Sequence, residues 1–384
     1  MKIIQILKDH KWAIILAVMV GMIMAFPQIY FRYDHQDVYQ GVDLIYTDAE
    51  LYYWGRIQEV SDGYRSEKPY LQPPLGEIIT ASLGRIFSLD IKNTILLSRF
   101  IFPILIFLSI YGFLYFLIRK KYVAQIASMG VMLADNLFNL FSRTFFQNLL
   151  RGDFSTIPEL TYARPVNPEV SSLFFFGFLL FFWLFLTKKR WVFGALSGLI
   201  FGLSFYVYPY TWSFISAFLA ILALIFLLKR EWPDLKRIFF LSLLAITVAI
   251  PYFLNLFRTL QYPEYLEVSQ RMGMVGSRAV VLGFLAPVIL IIFLAFFPRV
   301  WKKRYVFCLA LLLAPFLVLN QQLITGKVLS SEHYHWYYHK PLAIIFLIII
   351  FFHLIEKRLS SRFLKKAMIG GIITIIILNG FITD

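Results

Sequence analysis

The stretch from Tyr46 to Gly63, YTDAELYYWGRIQEVSDG, sets carboxylates among tyrosines, a tryptophan and an arginine in a chain that is otherwise mostly apolar. Asp48 is the residue best suited to act as a base. With an unperturbed pKa of about 3.9 an aspartate is ionised at neutral pH, a weak base but always available to a hydroxyl proton, and burial beside a membrane would strengthen it. Glu50 adds a second carboxylate. Thr47-Asp48-Ala49-Glu50 has the S/T-x-x-E form of a capping box, and Asp62-Gly63 supplies a stop. The spacing therefore predicts a helix of about three to four turns. On it Leu51, Trp54 and Val60 face the membrane interface, and Tyr52, Arg56 and Glu59 lie on another side. A plainer reading is that Asp48 and Glu50 are first-turn acids favoured by the helix dipole, with no further role.

The elements that must hold this stretch are membrane spans. The chain is 59% hydrophobic with a mean hydropathy of +0.71, whereas soluble globules are about 45–50% apolar. An all-α, polytopic integral membrane protein follows, with membrane lipids as its solvent. Apolar runs near 12–30, 94–118, 122–141, 170–187, 191–208, 210–228, 238–256, 279–297, 305–323, 342–355 and 367–382 make about eleven spans. The formal charge of +15 might suggest a nucleic-acid partner, but the basic residues form short clusters in alternate loops, which orients helices and excludes that reading. Those clusters, from Lys2, Lys8 and Lys11 to Lys365 and Lys366, put the N-terminus in the cytoplasm of a plasma (inner) membrane. The first apolar run is long and lacks a small-residue cleavage site, so it is a retained span. Cys308 is the single cysteine, and no intrachain disulfide forms.

The opposite loops, 32–93, 142–169, 258–278 and 324–341, carry nearly all the unusual polar residues, and loops of such length tend to be functional. Residues 75–89, LGEIITASLGRIFSL, are apolar but short and contain Glu77 and Arg85; an interfacial helix suits them. With no internal repeat or linker, residues 1–384 form one integral membrane domain, its first external loop at 32–93 the candidate catalytic loop.

The order of these features, a span, then Asp48 and Tyr52 as Asp-x-x-x-Tyr on a short helix, then a glycine, then Pro73-Pro74-Leu75, resembles the GT-C superfamily of membrane glycosyltransferases. It is most similar to the branch of the protein O-mannosyltransferases and the lipid A aminoarabinose transferases. The resemblance is detailed over about residues 40–85 and architectural elsewhere. Ala49 stands where the family often has glutamate, which comes one place later as Glu50, and Gln72 stands where it usually has lysine, leaving Lys68 as the substitute cation. The resemblance implies a GT-C-like fold and transfer of a sugar from a polyprenyl-phosphate-linked donor to an extracytoplasmic acceptor. Asp48 is then the base, with Glu50 beside it. Tyr52, Arg56, Lys68 and Gln72 are implied in substrate binding. Many such proteins carry a soluble domain after the last span; here the sequence ends at Asp384, so a minimal module and a fragment both stay open.

Transfer from a phosphate leaving group needs cations or a metal where charge develops. The second external loop offers Arg143, Arg151, Asp153, Glu159, Arg164 and Glu169. Arg164, between Ala163 and Pro165, is the preferred phosphate contact because guanidinium presents a planar fork of donors. Snorkelling to headgroups, or pairing with Glu169, is the alternative. No cofactor is required by these residues, but a divalent metal, Mg or Mn, would fall to Asp48 and Asp153. In the fourth loop His333, His335 and His339 invite zinc without completing a ligand set. A polar wall of the donor pocket fits better, with His333, His335 and Lys340 toward the substrate and the neighbouring aromatic rings stacking on a sugar. Tyr206 to Trp212 reads as an interfacial belt or as pocket lining. Two rivals remain. A transporter or flippase for a lipid-linked or small solute places charges near the midplane in broken helices, and a scaffold tolerates substitution throughout 46–76.

Overall fold

Backbone amides in a bilayer have no water to bond to, so long apolar runs close their hydrogen bonds within helices. The computed structural model describes residues 2–45, 48–63, 73–136, 160–271, 274–300, 302–358 and 361–383. In chain order the helices are α1 (Lys2–Asp9), α2 (Lys11–Asp34), α3 (Asp48–Ser61), α4 (Leu75–Phe87), α5 (Ile91–Ile118), α6 (Lys121–Leu133), α7 (Glu169–Lys188), α8 (Trp191–Ser204), α9 (Pro209–Leu228), α10 (Trp232–Thr259), α11 (Tyr265–Arg271), α12 (Leu285–Phe296), α13 (Lys302–Val318), α14 (Lys340–Arg358) and α15 (Arg362–Thr383). Short helical turns lie between them at Thr161–Ala163, Gln322–Thr325 and Ser331–His339. The sheet content of the described residues is one antiparallel pair, β1 (Val275–Gly276) and β2 (Lys327–Val328), with Val275 opposite Val328.

Eight helices among the described residues are long and apolar enough to cross a membrane. They include α2, α5, α7, α9 and α10, together with 302–325, 331–356 and 363–381. Within the runs expected at 122–141, 191–208 and 279–297 lie α6, α8 and α12, of 13, 14 and 12 residues. At 1.5 Å per residue these reach only about 18–21 Å, against a hydrocarbon thickness of about 30 Å. Local signals shorten two of them. Pro209 begins the next helix five residues after α8 ends, and Gly283 in the left-handed region (φ +61°) precedes α12 while Pro298 follows it. The interfacial segment is α4, also 13 residues.

The chain divides into two compact units, one of Met1–Arg65, Gly76–Leu173 and Ile355–Asp384, the other of Ser66–Leu75 and Phe174–Leu354. In the first, α2 packs along α5, α5 along α6 and α6 along α15. Asp90 caps α5 by accepting from the Asn93 amide at 2.9 Å, and the Asn379 amide of α15 donates to the Leu133 carbonyl at 2.6 Å. At its C-terminal end α2 is tied to the loop that follows it by Arg32, whose fork meets both Asp43 oxygens at 2.7 and 2.6 Å and whose third donor reaches Asn93 at 2.7 Å. Tyr39 adds a bond to Asp43 at 2.7 Å. Burial alone would push the Asp43 carboxyl up, but the Arg32 guanidinium and the Tyr39 hydroxyl outweigh it and hold the group below its ordinary value.

In the second unit α8 lies against α10 and α9 against α13. Phe175, Phe182, Phe214, Phe218 and Phe307 pack in its core, mostly edge to face, with ring centres 5.1–6.0 Å apart where they meet. The α8–α10 contact is close because Gly198 and Gly202 bring bare backbone to it. A Cβ on Gly202 would stand 2.6 Å from Val248 Cβ and 2.9 Å from the Ala245 carbonyl. Neither neighbour is a flexible chain end, so the helices must separate.

Gly202→Ala is expected to destabilise the protein by about 1–3 kcal/mol, read as a lowered melting temperature in detergent, whereas Gly370→Ala, with open space around it, leaves the transition unmoved. Equal effects at the two positions would show that the α8–α10 contact is looser than drawn. For the Asp43 clamp the sign follows from a depressed folded-state pKa. Its stabilisation is present above the ordinary carboxyl range, about 3.9, and drains as pH falls through the lower folded value. The stability difference between wild type and Asp43→Asn should therefore shrink on acidification, measured as melting temperature against pH.

Candidate functional site

The site is built on α3, whose residues Glu50, Tyr53, Trp54, Ile57 and Val60 recur at helical spacing and form one stripe. Tyr53 and Ile57 are buried against Ala81 of α4, Ile95 of α5 and Val166, with Trp54, Val60 and Ile91 packed around them. Burying side chains of this size contributes about 1.5–3 kcal/mol each, enough to fix the helix on its neighbours. This differs from the expected membrane-facing side. Trp54 and Val60 turn into protein, and of that trio only Leu51 is exposed. Gly63, in the left-handed region at φ +74°, ends the helix, and Arg85 of α4 closes its last carbonyls by donating to Val60 at 2.7 Å and Ser61 at 3.1 Å.

One turn below Tyr53 the stripe becomes ionic. Glu50 is fully buried, and its Oε2 accepts from the Arg99 guanidinium at 2.6 Å, with Arg99 1% exposed. A second carboxylate, Glu169 at the start of α7, is also completely buried and lies within electrostatic reach of both. The Ser98 side chain and the Val166 backbone stand beside it. Arg99 thus serves two acids. Taking such ions out of water costs several kcal/mol each, and the positive ends of α3 and α7, at whose first turns Glu50 and Glu169 sit, offset part of it.

The chain enters α7 through Arg164-Pro165-Val166-Asn167-Pro168, where Val166 has φ +64°. A β-branched residue in the left-handed region is a steric outlier that persists only where its surroundings over-determine it. Here the surroundings are the α3 core, in which Val166 is fully buried. The bend sets the Arg164 guanidinium over the Tyr53 ring, 5.7 Å from its centre, and lets the Asn167 amide donate to the Tyr53 hydroxyl at 3.0 Å. On the outer side of α3, Arg56 meets Glu77 of α4 at 2.8 Å and donates to the Tyr52 hydroxyl at 2.7 Å. Burial raises the Glu77 carboxyl above its ordinary value although the Arg56 charge pulls it down. Burial would lower Arg56, but the Glu77 charge and the Tyr52 contact leave it higher and firmly cationic.

Of the residues singled out in the sequence, Glu50, Tyr52, Arg56 and Arg164 thus gather around α3. Asp48 is its first residue, but its side chain, with Thr47, Lys68, Gln72 and Asp153, lies outside the described residues. The capping box and the Asp48–Asp153 metal pair lie there with them. Among the described residues no three His, Cys, Asp or Glu side chains come close enough to hold a metal ion. His333, His335 and Lys340 belong to the second unit. His333 stacks on Tyr210 at 4.6 Å and bonds the Tyr208 hydroxyl, and the Lys340 ammonium sits 4.3 Å from the Trp336 ring centre. Tyr208 and Tyr210 are 5% exposed, so these two rings of the Tyr206–Trp212 stretch are enclosed by the protein. Arg99 was not among the expected site residues. Its signal was present as the single charge between Thr94 and Ile118, and an ionisable residue inside a span is a functional candidate by default. Asp135 is buried and accepts from the Thr161 hydroxyl at 2.6 Å.

Arg99→Met is expected to cost about 3–5 kcal/mol by leaving buried carboxylates without their counter-charge. Adding Glu169→Gln should restore part of the loss, measured as melting temperatures of the single and double variants. A double variant no better than the single one would mean that Glu169 does not share the guanidinium.

The sequence matches no protein-family model and no curated protein, so a functional reading has the geometry of these residues to work from.

Proposed function

We propose that the chain is an integral membrane glycosyltransferase of the GT-C type, moving a sugar from a polyprenyl-phosphate-linked donor to an acceptor on the extracytoplasmic side of the plasma (inner) membrane. The observation that carries this reading is the anchoring of α3: the helix that begins at Asp48 is clamped within one turn of its start by the buried Glu50–Arg99 pair and farther along by the Tyr53–Ile57 core. A base must be held to within a fraction of an ångström, and rigid supports of this kind do that. In the proposed reaction Asp48 takes the proton of an acceptor hydroxyl as its oxygen bonds to the anomeric carbon. The bond from that carbon to the phosphate oxygen breaks, and the electron pair leaves with the phosphate. Arg164 is the cation offered to that charge. Glu50, enclosed and ion-paired, positions the helix. A divalent ion, Mg or Mn, would be held by Asp48 and Asp153. In this reading α6, α8 and α12 are shorter crossings that bring the span count to about eleven.

A transporter is the second reading, favoured by one observation, the burial of Arg99 and Glu169 inside or at the start of spans.

The test is transfer of radiolabelled sugar by purified protein from a panel of polyprenyl-phosphate donors, with and without chelator. Asp48→Asn is expected to lower turnover about 100-fold or more at an unchanged melting temperature, and full activity in that variant would remove Asp48 as the base. Movement of intact donor across proteoliposomes, with no covalent transfer from any donor, would favour the transporter.

A further inference from the structure

Residues 331–340 read SEHYHWYYHK, and wound as a helix they divide by face. His333, Tyr334, Tyr337 and Tyr338 form the side that meets the start of α9. The Tyr334 hydroxyl bonds Ser213 at 2.7 Å, the Tyr338 hydroxyl bonds Thr211 at 2.6 Å, and His333 is held by Tyr208 and Tyr210. Glu332, His335, Trp336 and His339 fall on the opposite side, and all four line a cavity of about 240 Å³ that Leu285 and Leu319 close across from them. A π turn runs through His335–His339, an irregularity that recurs at functional sites. The far wall is fixed as well. The Asn320 side chain exchanges both hydrogen bonds with the Val281 backbone at 2.9 and 2.8 Å, and Gln322 donates to the Ala279 carbonyl at 2.8 Å. The cavity is therefore formed in advance of any ligand.

Its chemistry is specific. His339 is 6% exposed, and its Nε2 is enclosed with no hydrogen-bonding partner among the described residues. Glu332 contributes the one carboxylate of the described lining, which repels phosphate and accepts from hydroxyl or ammonium donors. Two imidazoles offer further ring nitrogens. Trp336, backed by the Lys340 ammonium, supplies a flat apolar surface with polar groups at its rim. A cavity of about 240 Å³ has room for one substituted ring.

We propose that this cavity is a subsite for a single sugar ring bearing hydroxyl or amino substituents and no phosphate. The sequence alone set His335 toward the substrate; the Glu332 carboxylate argues that it faces the sugar. In taking the ligand as a sugar the proposal rests on the transferase reading, whereas the cavity itself does not.

The experiment is saturation-transfer NMR on the full chain in detergent, with methyl glycosides of neutral and amino hexoses as probes and inorganic phosphate as competitor. At least one glycoside is expected to bind, about tenfold more weakly to Glu332→Gln, the loss of one hydrogen bond to a charged group, and more weakly to Trp336→Leu, with no competition from phosphate. Glu332 is exposed, so its isosteric variant should keep the wild-type melting temperature and remains informative should Trp336→Leu misfold. Absence of glycoside binding, binding indifferent to Glu332→Gln, or displacement by phosphate each overturns the subsite. Glycoside binding of the expected pattern without sugar transfer from any donor keeps the subsite and removes the transferase. Sugar transfer with wild-type kcat and KM in Glu332→Gln keeps the transferase and removes the subsite.

Discussion

A guanidinium enclosed by protein must be answered by negative charge nearby, and Arg99 imposes that constraint on the first unit. It draws Glu50 from α3 and Glu169 from the start of α7 to one point on α5. Because a buried ion left unpaired is far more costly than a buried pair, these segments cannot drift independently. The α3 stripe, the bend at Val166 and the Arg164–Tyr53–Asn167 contacts all lie within a few residues of that point. The ionic centre therefore does for these connecting segments what apolar packing does for the long helices.

The same logic explains the buried tyrosines. Each tyrosine has a large apolar body and one hydroxyl that must find a partner when enclosed. Tyr53, Tyr334 and Tyr338 find theirs in Asn167, Ser213 and Thr211, so the rings serve as packing and the hydroxyls fix register. A belt facing lipid would need neither. In the second unit this clamp leaves the opposite face of 331–339 free to line a cavity with acid, imidazole and indole.

Much of the helical layout was legible in the residues. Long apolar runs gave helices at the expected places, and the stop at Asp62-Gly63 is where α3 ends. The length of α8 and α12 was harder to read, since apolar residues continue past their ends and only Pro209, Gly283 and Pro298 mark the breaks. The facing of α3 was misread for a related reason. Trp54 and Val60 suit lipid headgroups and a protein core equally well, and the choice was made by Ala81, Ile95 and Val166, which come from other parts of the chain. Arg99 was legible as an anomaly but not as a partner of Glu50, which is 49 residues away.

By itself, then, the sequence determined what depends on neighbours along the chain: an all-helical membrane protein, the approximate bounds of its long apolar helices, and the loops between them as the place where its polar residues gather. Hydropathy, helix caps and proline or glycine breaks act over a few residues, so they can be read without folding anything. Only the tertiary structure decided which acid pairs with Arg99, that Arg164 lies over Tyr53, and that Glu332, His335, Trp336 and His339 share one cavity. Those outcomes turn on burial and charge pairing between segments far apart in the chain, where the cost of an unpaired ion or an unfilled space selects one arrangement among many that local pattern allows.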